Sequence, residues 1–84
     1  MTKDSTTKPS KKNLELARKI VDKKAVITKW PNGFDVDLIG SVGVRHESRA
    51  AKKSEAAAEA AEVVAGMLDR EELILSDTWA DDNL

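Results

Sequence analysis

The spacing of apolar positions changes twice along the chain, and each change marks an element. Leu14, Ala17 and Val21 recur at helical intervals, flanked by Leu16 and Ile20, and Ser10 stands where an N-cap hydroxyl belongs. The pattern predicts a first helix from Ser10 to about Asp22, with Glu15 and Lys19 as an i,i+4 pair. Such a helix is short for standing alone, so its stripe must dock, and the sheet that begins at Ala25 is the expected platform.

From Ala25 the period falls to two. The β-rich runs "AVITKW" and "FDVDLI" lie on either side of Pro31-Asn32-Gly33. Asn-Gly by itself would indicate a two-residue type I′ loop, pairing Trp30 with Asp35 and Lys29 with Val36 and mixing both faces. Pro31 suits the first central position of a type I turn, with Asn32 second and Gly33 left-handed, giving a three-residue loop that closes Trp30 against Phe34. That register sorts the pairs. Trp30/Phe34, Thr28/Val36 and Val26/Leu38 form an expected inner face, and Lys29/Asp35 and Ile27/Asp37 an outer one. A second turn at Gly40-Ser41-Val42 sets Val44 beside Leu38, Arg45 beside Asp37 and His46 beside Val36, with a third strand over 43–48. The outer face then reads as Lys29, Asp35, Asp37 and Arg45 in alternating sign around Ile27 and Ile39.

The period returns to helical at Arg49 or Ala50 and stays so to about Leu68, in "RAAKKSEAAAEAAEVVAGML". Its predicted apolar stripe is Ala57, Ala60 and Ala61, Val64, Met67 and Leu68. The run "EELILSD" is read as a short fourth strand, with a helical extension as the alternative. The expected fold is therefore α+β: a helix, a three-stranded antiparallel meander, a long helix packed on one sheet face, and a short fourth strand. Residues 1–10 are expected as a disordered basic arm, 11–76 as a single domain and 77–84 as a mobile acidic tail carrying Trp79.

Length limits what this fold can bury: a chain of 84 residues removes only about 60% of its unfolded surface from water. Association with a second copy or another partner becomes an expectation. There is no cysteine, so neither disulfides nor a thiolate zinc site supplement the core, and no run reaches the ~20 apolar residues of a membrane span; a cytoplasmic protein is the reading. The net charge of −1 conceals a gradient. Residues 1–24 carry +5, residues 25–53 carry +2 and residues 54–84 carry −8.

Catalytic chemistry finds little support. The lone imidazole, His46, falls on a strand where a packed, hydrogen-bonded ring is the ordinary role, and no His/Cys spacing suits a metal. Asp35 and Asp37 share a face, as i,i+2 strand residues must, yet Lys29 and Arg45 beside them make a solvated charge ladder the simpler reading. No Gly-rich phosphate loop is present. A non-enzymatic protein without a cofactor is expected.

Two binding functions compete. Arg45, His46, Arg49, Lys52 and Lys53 gather at the start of the long helix, where free backbone N–H groups already favour an anion. The segment "KKSEAAAEAA" resembles the last helix of double-stranded RNA-binding domains, and the order of elements is also theirs. The resemblance implies a duplex-binding module in which Lys52 and Lys53 touch phosphates. The spacing to Ala56 is one residue off that pattern, Ala57 stands where a further lysine would, and a tight turn replaces the family's longer loop. A polar "SEA"-like helix start behind a hairpin is similar to small DNA-binding modules of integrases. Against nucleic acid, the expected register buries Trp30 and Phe34, leaving no stacking platform, and Glu55, Glu59 and Glu62 line the helix.

The favoured reading is a small protein-binding domain that occupies a partner's surface. Ile27, Lys29, Asp35, Asp37 and Ile39 on the sheet, and Trp79 in the tail, are its candidate contacts. In size and layout the chain resembles small phage- or mobile-element-encoded inhibitors of host machinery, including anti-CRISPR proteins. The partner is a protein, a homodimer being one form of it, and no membrane is involved.

Overall fold

A computed structural model describes residues 9–84. The elements are α1 (Lys11–Lys24), β1 (Val26–Trp30), β2 (Gly33–Leu38), β3 (Val44–Ser48), α2 (Lys53–Asp69) and α3 (Trp79–Asn83). The three strands form one antiparallel meander in the order β1-β2-β3, with α2 packed on β2 and β3, so the class is α+β. Among the described residues there is no fourth strand: 71–76 is turn and irregular chain. The expected basic arm lies almost wholly outside the described residues.

The first helix starts as its sequence directs. Ser10 Oγ accepts the Asn13 N–H at 3.3 Å, the N-cap bond that satisfies one orphan donor. Ala17, Ile20 and Val21 are buried. Their partner is not the sheet, as expected, but chiefly α2. The reason lies in α2 itself, whose buried residues are Ala56, Ala60, Ala61, Val64 and Ala65. Small side chains let a second helix come close, so α1 and α2 share one stripe while Val64 and its neighbours also meet Val36, Leu38 and Val44. The molecule measures 17 Å along its shortest axis, room for a sheet and one layer of helices but not two. The opposite face of the sheet is left open.

A polar tie closes the helix pair. Asp69, the last residue of α2, accepts from the Ser10 backbone N–H at 2.7 Å, from Ser10 Oγ at 2.9 Å and from the Asn13 side-chain amide. These donors, Asn13 foremost, hold the Asp69 carboxyl below its ordinary value of 3.8. One carboxylate thus binds the start of the first helix to the end of the second.

The strand registers divide the expectations. Between β2 and β3 the pairs are Val36 with His46, Asp37 with Arg45 and Leu38 with Val44, as the alternation predicted. Between β1 and β2 they are Trp30 with Gly33, Lys29 with Phe34, Thr28 with Asp35 and Ile27 with Val36. The loop therefore holds two residues, Pro31 and Asn32, and closes on Gly33. Both registers considered from sequence are displaced, one by a residue and the other by two. The cause is at Gly33, whose φ is +153° and against which the chain leaving β3 passes so closely that a Cβ would lie 1.9 Å from the Ser48 carbonyl oxygen. Gly33 is consumed as a paired strand residue, so it cannot also serve as the left-handed loop residue.

Two outcomes are expected from these contacts. Gly33→Ala should lower urea-derived stability by about 3 kcal/mol or more, because the clash is with backbone that cannot rotate away. Asp69→Asn should lower the melting temperature at neutral pH. Because the folded Asp69 pKa is depressed, its contribution is present above the unfolded value and is lost as pH falls through the folded one. The gap between variant and wild type should therefore hold from pH 7 to about pH 4 and shrink below that, read by thermal melts across the range.

Candidate functional site

With β1 in this register the open face of the sheet changes character. Phe34, Val36, Leu38, Val44, His46 and Ser48 point toward the helices, and Ile27, paired with Val36, goes with them. Val26, Thr28, Trp30, Asp35, Asp37, Arg45 and Glu47 take the open side. Trp30 is 55% exposed there and Val26 66%. Ile27 is half-buried against the core rather than centred on the outer face. Lys29 is exposed but paired with Phe34, so no Lys29–Asp35 ladder exists; Thr28 stands opposite Asp35 instead.

Arg45 does what its position promised. Its guanidinium spans both aspartates, Nε lying 3.7 Å from Asp35 Oδ1 and Nη2 3.9 Å from Asp37 Oδ2. Neither distance is a hydrogen bond, and Asp35 Oδ1 is buried without any hydrogen-bond partner among the described residues. Asp37 is better satisfied. Its Oδ1 accepts the Ile39 N–H at 2.9 Å, which braces the next turn, and Ile39 itself is exposed beyond the strand's end. Together Asp35, Asp37 and Arg45 form a mixed-charge centre on the open face.

At the hairpin end of this face lies a cleft of about 510 Å³. Trp30, Pro31 and Asn32 wall it on one side, Arg45, Glu47 and Arg49 on the other, with Gly33 and Asp35 between. It combines an aromatic face, two guanidinium groups and two carboxylates within one opening. That composition suits a peptide or protein loop, which presents apolar, polar and charged groups together. A second groove, about 890 Å³, runs between α1 and the C-terminal turn, lined by Lys12, Lys19 and Lys23 but also by Asp81 and Leu84.

The residues considered for nucleic acid make different contacts. Arg45 belongs to the aspartates. His46 Nε2 lies 3.0 Å from Glu59 Oε1, joining β3 to α2, and this hydrogen bond, helped by Ser48, holds the Glu59 carboxyl below its ordinary value. Arg49 lines the cleft. Lys52 is the N-cap of α2 with no side-chain cap bond, and Lys53 opens the helix; both are exposed and form no ion pair among the described residues. Trp79 is half-buried, packing with Leu84 against the core from α3, so it is not a fully exposed aromatic. No three metal-ligating side chains gather among the described residues, and no described helix is long and apolar enough to cross a membrane.

Trp30, expected on the inner face, lies on the open one. The signal that would have found it was present: Pro at the second, Asn at the third and Gly at the fourth position form a type I turn that closes Trp30 on Gly33. Exposure gives a quantitative consequence. Trp30→Ala should change urea-derived stability by no more than about 1 kcal/mol, against the ~3–5 kcal/mol expected for a buried tryptophan. Neither a protein-family model, nor a curated protein, nor a solved structure matches this chain.

Proposed function

We propose that this chain is a small non-catalytic domain that binds a protein partner through the open face of its sheet, with Trp30 as the anchor. The observation that carries the reading is the half-exposed indole beside the Gly33 cleft, flanked by Arg45 and Arg49. Tryptophan and arginine are the side chains that most often dominate protein interfaces, and here they converge on one recess. Asp35, Asp37 and Glu47 make the surrounding field mixed rather than basic. Such a field offers a phosphate backbone no concentrated positive charge and suits a partner whose own charges alternate.

The exposed Trp30 removes one objection to nucleic acid, the lack of a stacking aromatic, but leaves it a solitary ring among carboxylates. Duplex binding would instead rest on Arg49, Lys52 and Lys53. The two readings separate in one experiment with four proteins: wild type, Trp30→Ala, Arg45→Glu and Lys52→Glu/Lys53→Glu, each first shown to be folded. Affinity capture from a cell lysate should retain a protein with wild type and the double lysine variant, and lose it with Trp30→Ala and Arg45→Glu. Fluorescence anisotropy with duplex RNA and DNA should show binding weaker than about 10⁻⁴ M at low salt for all four. Tight, salt-dependent duplex binding lost only in the lysine variant would contradict the proposal.

A further inference from the structure

Strand β1 lies at the edge of the sheet, and its residues place it unusually for an edge. Natural edges are blunted by charge, proline or cover. The other edge, β3, follows that rule with Arg45, His46 and Glu47 in succession. β1 reads Val-Ile-Thr-Lys-Trp, with one charge and four strand-forming residues, and only Ile27 among them is even half-buried. Val26 and Trp30, two of the most exposed large apolar side chains in the molecule, lie on the same face of this strand, symmetrically about Thr28.

The free backbone groups of β1 have a definite direction. The Leu38 carbonyl turns toward the β2–β3 turn, where it accepts from Ser41, Val42 and Gly43 at 2.9 to 3.1 Å. Peptide groups alternate along a strand, so Leu38, Val36 and Phe34 face β3, while Asp37, Asp35 and Gly33 face β1. Their partners Val26, Thr28 and Trp30 are therefore occupied by β2. Ile27 and Lys29 point their N–H and C=O outward from the sheet, and among the described residues no strand receives them.

We infer that β1 pairs antiparallel with β1 of a second copy of this chain, about a two-fold axis through Thr28. This inference goes beyond the protein-binding reading and does not depend on it. The strand is self-complementary in that arrangement. Ile27 and Lys29 of each copy exchange backbone hydrogen bonds with Lys29 and Ile27 of the other, satisfying every outward group of the five-residue strand. On the open face Val26 of one copy covers Trp30 of its mate, and the reverse, so both exposed apolar residues are used twice. Shifting the register by one residue opposes the outward groups of Ile27 and Lys29 to residues whose own N–H and C=O already face β2, and loses both Val26–Trp30 pairs. A six-stranded sheet results, with both Trp30 clefts on a common open surface. A five-residue edge is a small contact, so the dimer belongs to the weak class.

A cysteine-free chain allows a clean test. Thr28 meets its own copy in a non-hydrogen-bonded pair, with Cα atoms about 4.5 Å apart, inside the span a disulfide accepts. Thr28→Cys under mild oxidation should give a covalent dimer, whereas Glu47→Cys on the β3 edge should not. Sedimentation equilibrium of the full wild-type chain up to about 1 mM should show a monomer–dimer equilibrium, to which a dissociation constant near that concentration still contributes measurably. Thr28→Lys, which can pair with Asp35 in its own copy but sets two like charges face to face across the axis, should remain monomeric with an unchanged circular dichroism spectrum. A wild type that stays monomeric throughout overturns the inference and leaves the edge to a strand from another protein. So does a dimer indifferent to Thr28→Lys, or crosslinking at Glu47→Cys as efficient as at Thr28→Cys.

Discussion

The contact between Gly33 and the backbone of Ser48 and Arg49 governs the whole upper end of this molecule. It requires a residue without a Cβ at that point, and so it requires the hairpin to use Gly33 as a strand residue rather than as a loop residue. The two-residue turn follows, and with it the register of β1. Register in turn decides which of Ile27 and Trp30 faces the helices, because one residue of slip moves every side chain to the other face. The binding surface proposed here is thus a consequence of a backbone close approach, not of any feature of the tryptophan.

Beneath that face the fold is economical in side-chain size. The second helix buries four alanines and one valine, so it contributes close approach more than apolar area, while Ile20, Val36, Leu38 and Val64 are the largest fully buried side chains. Each is worth about 1.5–3 kcal/mol of burial. A core of that size gives the polar tie at Asp69 and any further burial by association more weight than they would have in a larger domain. The same economy explains why α1 lies beside α2 and not across the sheet: one layer of helices suffices, and the other sheet face is free to act.

Much of this was readable from residues alone, and the exceptions share a cause. The first helix and its Ser10 cap, the three strands between 26 and 48, the Val36/His46 register and the paired aspartates under Arg45 all follow from strong local rules. Strand β2 was unambiguous because Phe34, Val36 and Leu38 alternate with Asp35 and Asp37. β1 was ambiguous because both of its parities carry apolar residues, as an edge strand that buries little can tolerate, and the pattern could not choose between Ile27 and Trp30. The docking of α1 was missed because alanines on α2 read as helix formers before they read as an interface. Likewise the Leu73-Ile74-Leu75 cluster packs as irregular chain, with Leu73 and Leu75 covering the core while Ile74 remains exposed. Apolar content alone does not distinguish a strand from a covering strap.

The outward orientation of Trp30 depends on one register of β1, and nuclear Overhauser contacts between α-protons read that register directly. In antiparallel sheet such contacts are strongest across non-hydrogen-bonded pairs, where the Cα atoms are closest. They are expected between Ile27 and Val36 and between Lys29 and Phe34. Close α-proton contacts between Lys29 and Asp35, or between Thr28 and Val36, would mean that the strand is displaced by a residue, with Trp30 turned toward the core, and would contradict that register.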